Sequence, residues 1–106
     1  MSEVEESLLD EFCDALWLED GLARNTLVSY RGDLLKFAQW LRKKNSISLL
    51  DTRQQEIEEY LAHQVLVAKA SARTTSRELS SLKRFFRFEL RQGKIKADPT
   101  LRIDAP

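Results

Sequence analysis

A chain of 106 residues, 42% apolar and 32% charged, is sized for one domain with a modest core. Three Gly and two Pro are too few turn formers for a β-sandwich, and the lone Cys13 excludes an internal disulfide framework and a Cys-cluster zinc site. No apolar run approaches the roughly 18 residues of a membrane span, and the acidic start has the wrong sign for a signal or transit peptide. The expectation is an all-α domain in a reducing, cytoplasmic setting. Formal net charge is zero, with 17 bases against 17 acids, which argues at first sight against a nucleic-acid partner. The distribution argues otherwise. Residues 1–20 carry eight acids and no base, so the rest of the chain is +8, and residues 69–96 hold nine bases against Glu78 and Glu89. Asymmetry of this kind bears on partners; the competing account is that helices of opposite sign pair with each other.

The first predicted helix runs from about Glu3 to Leu18, with Val4, Leu8, Phe12 and Leu16 spaced by four, Ala15 beside them, and Gly21 placed to end it in a left-handed conformation. Its early acids suit the positive end of the helix dipole. Cys13, one step off the stripe, reads as a small hydrophobe at the edge of the core. A second helix spans roughly Arg24 to Lys43 and is closed by Asn45 and Ser46. At about 100° per residue, Leu27, Tyr30, Leu34, Phe37, Ala38 and Leu41 share one face, and Asn25, Ser29, Gly32, Lys36, Gln39 and Lys43 the opposite one. Trp40 flanks the apolar stripe as a packing residue.

Thr52 and Gln55 have the capping-box spacing for a third helix. Its apolar positions are Ile57, Tyr60, Leu61 and Gln64–Val65, and the run Val65–Leu66–Val67 is expected to be buried near its end. His63, the only histidine, has no Cys or second His at ligand spacing and is assigned no metal or catalytic role. Ser71 is a suitable N-cap for a fourth helix, Ala72 to Gln92, ending before Gly93. Leu79, Leu82, Phe85, Phe86, Phe88 and Leu90 form its wide apolar arc. Arg73, Arg77, Ser80, Arg84, Arg87 and Arg91 line the other side in one stripe. Five guanidinium groups in a row repel one another unless anions lie against them, and Glu78 and Glu89 are both off the stripe, which favours a nucleic-acid partner. Asp98–Pro99 then reads as an N-cap with Pro opening a short turn.

No Gly-rich phosphate loop, paired metal ligands, nucleophile with an adjacent base, or paired carboxylates in an apolar setting are present. No cofactor, metal or catalytic residue is therefore assigned, and catalysis by this chain alone is not expected. Tyr30 and Tyr60 both sit on apolar stripes and read as core residues with a polar tip.

Leu22–Ala23–Arg24–Asn25–Thr26–Leu27, Tyr30–Arg31, Asp33–Leu34 and Trp40–Leu41 resemble the second helix of the N-terminal core-binding domain of tyrosine recombinases, the phage-integrase class. Ser71–Ala72–Arg73–Thr74, Arg77–Glu78–Leu79–Ser80, Leu82, Phe85–Phe86 and Asp98–Pro99 resemble the fourth helix and exit of the same domain. The segment Asp14–Ala15–Leu16–Trp17–Leu18–Glu19 is similar to one of the family's two Xer branches more than to the other. Each motif is degenerate alone, but their joint order and spacing are specific, and the likeness covers nearly the whole chain. It implies a four-helix SAM-like bundle over residues 1–97, with 98–106 starting a linker toward a separate catalytic domain that bears the nucleophilic tyrosine. It also implies that the second and fourth helices lie across the major groove of a double-stranded DNA recombination site. The implied partners are a XerC-like recombinase in a heterotetramer and the FtsK translocase, acting in chromosome dimer resolution at division. Gly32 departs from the family, which often has a basic residue there.

The resulting expectation is a DNA surface made of Asn25, Thr26, Ser29, Lys36 and Lys43 on one helix and Arg73, Thr74, Arg77, Arg84, Arg87 and Arg91 on the other. Asn25, Thr26, Arg73 and Thr74, at helix N-termini, are best placed for base edges or phosphates, and the later bases for fixing register on the backbone. The alternative is a helical protein-interaction module whose basic fourth helix docks an acidic partner, or the first helix of another copy.

Overall fold

The computed structural model describes residues 2–104, which form four helices in the order α1 (Glu3–Asp20), α2 (Arg24–Asn45), a 3₁₀ turn (Leu49–Asp51), α3 (Gln54–Leu66) and α4 (Ala72–Arg91), with no strand among them. This is an all-α bundle of the SAM-like kind. Leu8, Leu9, Phe12 and Leu16 of α1, Leu34, Phe37, Ala38 and Leu41 of α2, Ile57 and Tyr60 of α3, and Leu79, Leu82, Phe85, Phe86 and Phe88 of α4 close one shared core. Phe12 meets Phe85 edge-on at 5.5 Å, and Phe37 meets Tyr60 at 4.9 Å, so aromatic contacts join α1 to α4 and α2 to α3.

The helix ends follow local chemistry. Ser2 accepts a hydrogen bond from the Glu5 N–H at 3.2 Å to start α1, and Gly21, at φ 62°, ends it. Gly93, at φ 76°, stops α4 and lets the Lys94 N–H reach the Glu89 carbonyl at 3.0 Å. Asp98 caps the final turn, accepting from the Thr100 N–H at 2.8 Å. That turn is fastened to the bundle: Ile103 is buried in the shared core, and the Lys83 ammonium donates to the Thr100 carbonyl at 2.8 Å. Cys13 packs half-buried at the core edge, and burial pushes its thiol pKa up.

Four sequence expectations are corrected. Val4 is 68% exposed; Glu5 and Leu9 take the inward positions instead. The Glu5 carboxylate can be buried because it accepts from the Arg42 guanidinium at 2.8 Å and from the Leu49 N–H at 2.9 Å, which ties α1 to the end of α2. The start of α3 is not a Thr52–Gln55 capping box. The N-cap is Arg53, whose backbone N–H and guanidinium both donate to Glu56, while Gln55 donates to Glu59 and the Thr52 hydroxyl is buried without a partner. Val65, Leu66 and Val67 are exposed, the last two at 68% and 67%, because α3 ends at Leu66 and no other described helix covers that side. Leu90 is also more exposed than the rest of its arc.

Candidate nucleic-acid interface

The two polar faces singled out in the sequence lie side by side, and Asp33 holds them there. It sits one step from the polar face of α2 and is buried, accepting from the Arg77 guanidinium at 2.7 and 3.3 Å and from the Ser81 hydroxyl at 2.7 Å. One turn earlier in α2, the half-buried Tyr30 ring lies 5.9 Å beneath the Arg84 guanidinium. These contacts set the arginine stripe of α4 alongside the row Asn25, Ser29, Gly32, Lys36 and Lys43. Asn25, Ser29, Lys36 and Lys43 are exposed; Thr26 is half-buried.

The two helix starts differ. Ala23 supplies no side-chain cap to α2, so no side chain satisfies the first-turn N–H groups beside Asn25 and Thr26. Ser71 caps α4, accepting from the Thr74 N–H and donating to the Thr74 hydroxyl, each at 3.1 Å, which holds Thr74 half-buried beside the exposed Arg73.

The arginine stripe is divided by its partners. Arg77 pairs with Asp33, Arg84 with Asp20 at 3.2 Å and Arg91 with Glu19 at 3.3 Å. Arg73, Arg87, Lys36 and Lys43 make no ion pair among the described residues. Pairing of opposite-sign helices is thus real: Glu5, Asp10, Glu11, Glu19 and Asp20 of α1 meet Arg42, Arg31, Lys94, Arg91 and Arg84. The Arg84 and Arg91 pairs are solvent-exposed, a class worth about 0–1 kcal/mol each, so an incoming anion can replace the carboxylates at small cost.

The off-stripe acids are buried. Glu78 accepts from the Gln64 amide at 2.8 and 3.1 Å and from the Tyr60 hydroxyl at 3.3 Å; burial first, then the Glu78 charge, push the Tyr60 phenol well above its usual range. Both Glu89 carboxyl oxygens are buried without a hydrogen-bond partner. Burial raises its pKa to about 7; the Lys94 charge opposes the rise and Glu11 adds to it.

Two features escaped the sequence reading. Asp33 had a readable signal, an acid one step off the polar face of α2 with Arg and Ser available on α4. The other is a concavity between α2 and α3, lined by Lys36, Gln39, Trp40, Lys43 and His63, which a one-helix wheel cannot show. The described residues contain no cluster of three or more potential metal ligands, and no helix is long and apolar enough to cross a membrane. The arrangement offers fixed and exchangeable cations to an extended anion.

Comparison with known proteins gives the family. The family described as "Phage integrase, N-terminal SAM-like domain" matches residues 9–93, from the middle of α1 to the glycine that ends α4. The chain is similar to "Tyrosine recombinase XerD" of Pseudomonas putida, 45% identical over 106 residues, covering all of this chain and 35% of the relative. The same-named protein of Ralstonia nicotianae is 46% identical over 92 residues, covering 87% of this chain and 29% of the relative. That of Yersinia pestis is 37% identical over 106 residues, covering all of this chain and 35% of the relative. The chain thus spans about a third of the length of these curated relatives, and no solved structure matches it significantly. The XerD names agree with the branch suggested by Asp14–Glu19, and with a family match that reaches all four helices the chain belongs to the phage integrase N-terminal SAM-like domains.

Proposed function

We propose that this domain is the DNA-binding half of a site-specific tyrosine recombinase of the XerD kind. It clamps a double-stranded recombination site with α2 and α4, and bond breaking is carried out by a catalytic domain reached through the segment after residue 97. The observation that carries the reading is the juxtaposition of two rows, the exposed Asn25, Ser29, Lys36 and Lys43 beside the exposed Arg73, Arg77, Arg87 and Arg91 and the half-buried Arg84, in a chain of this family. Arg73, Arg87, Lys36 and Lys43 are open to phosphates directly. Arg84 and Arg91 become so by exchanging Asp20 and Glu19 for phosphate, and Arg77 is steered by Asp33. Asn25, Thr26, Arg73 and Thr74 are the candidates for base edges, where Asn suits adenine and Arg guanine. In the whole recombinase the reading extends to a heterotetramer with a XerC-like partner and to FtsK-linked chromosome dimer resolution.

The test is a salt titration of duplex binding. Each neutralised phosphate contributes about −0.9 to the slope of log K against log salt, so Arg87→Ala should weaken binding to all sequences alike and flatten the slope by about one. Asn25→Ala should instead lose about 1–3 kcal/mol at one base position. Duplex affinity independent of ionic strength overturns the proposal.

A further inference from the structure

We infer that the concavity between α2 and α3 is a third seat for the DNA phosphodiester backbone, with His63 of α3 as its hydrogen-bond donor; this rests on the DNA-binding reading above. Lys36 and Lys43 stand seven residues apart on one face of α2, both exposed and neither in an ion pair among the described residues. Between them Gln39 is exposed, and the half-buried Trp40 lies against Phe37 at 6.3 Å and Tyr60 at 5.3 Å. This packing makes the indole a rigid wall. His63, half-buried on α3, faces it with ring centroids 6.2 Å apart. Gln64 beside it is committed inward to Glu78, and Glu59, one turn earlier, accepts from Gln55. No acid lines the concavity, unlike the Arg84 and Arg91 end of α4, where Asp20 and Glu19 are already in place.

A site with two unpaired ammonium groups, an amide, a ring N–H and an aromatic wall is complementary to a phosphate and its attached sugar. It also opens from the same row of α2 that the DNA reading places against the duplex. His63 therefore acts as a binding residue from a helix outside the two that carry the arginine and lysine rows.

Trp17→Phe leaves Trp40 as the chain's only tryptophan, since the sequence has two, and its emission then reports on the concavity. In that background, duplex binding should shift Trp40 emission, and His63→Ala should weaken affinity by about 3–10-fold, the size of one ordinary solvent-accessible hydrogen bond. His63→Gln, which keeps a donor, should stay within about twofold. Phosphate-ethylation interference should lose the same phosphates in His63→Ala as in Lys43→Ala, and different ones in Arg87→Ala. Wild-type affinity in His63→Ala, or Trp40 emission unmoved by saturating duplex, overturns the seat while leaving the α2–α4 surface standing. Absence of salt-dependent duplex binding by the unmutated chain overturns both. Should His63→Ala fail to fold, Lys43→Ala with the Trp40 readout decides: a smaller duplex-induced shift than in the parent is expected, and a shift equal to the parent's overturns the seat.

Discussion

Glu89→Gln should make the domain more stable above pH 7 and remove a pH dependence expected of the native protein. Glu89 is fully buried on α4, neither carboxyl oxygen has a partner, and burial lifts its pKa from 4.5 to about 7. Between those values the native state holds a proton that the unfolded chain has released, so stability falls as pH rises, by about 1.4 kcal/mol per pH unit. Across the window the loss is about 3 kcal/mol; below it both states are protonated, and above it both are ionised. A Gln amide has the shape of the protonated acid and never ionises, so the variant should match the native protein near pH 4.5 and exceed it by about 2–3 kcal/mol at pH 8. Urea unfolding followed by circular dichroism at pH 4.5, 6, 7 and 8 measures this. The difference between the two proteins is the useful quantity, because other carboxyls act with the opposite sign. At Glu56, burial raises the pKa, but hydrogen bonds from the Arg53 side chain and backbone outweigh it and hold the group below its usual range. Its stabilisation is present above the unfolded carboxyl pKa and is lost as pH falls. Parallel curves for Glu89→Gln and the native chain would refute the reasoning.

Three further outcomes follow from the geometry. Gly32→Ala should add about 0.5–1 kcal/mol, since nothing lies within 4 Å of the new Cβ and Ala is the better helix former; a thermal melt checks this, and a large loss of duplex affinity in the same variant would mean that DNA backbone approaches Gly32. Asp33→Ala should cost about 1–3 kcal/mol by removing the acceptor of Arg77 and leaving the buried Ser81 hydroxyl only its 3.3 Å bond to the Arg77 carbonyl, and an unchanged urea midpoint would deny Asp33 its organising role. The double variant Glu19→Gln, Asp20→Asn should raise low-salt duplex affinity several-fold and steepen the salt slope by freeing Arg84 and Arg91. Weaker binding by that variant would show that the carboxylates orient the arginines rather than mask them.

The helices were readable because their signals are local. Ser71 and Gly21 sit where the caps formed, and the α4 arc from Leu79 to Phe88 is buried as its period required. Errors came where a neighbouring element decided the outcome. Val4 and Glu5 compete for one inward position on α1, and the acid took it because Arg42 and the Leu49 N–H wait there. Val65 to Val67 read as core because they are apolar, yet no described helix buries them at the end of α3.

The sequence by itself determined a four-helix chain with a cationic stripe on α4 and a polar row on α2, since helical period and charge placement are properties of each segment alone. Tertiary structure decided which of those charges are available. Asp33 clamps Arg77, Asp20 and Glu19 cover Arg84 and Arg91, and Arg73, Arg87, Lys36 and Lys43 remain unpaired among the described residues. Net charge and helical wheels count charges without their partners. An ion pair depends on side chains far apart in sequence coming within about 4 Å, and only the packing of α1, α2 and α4 brings them there.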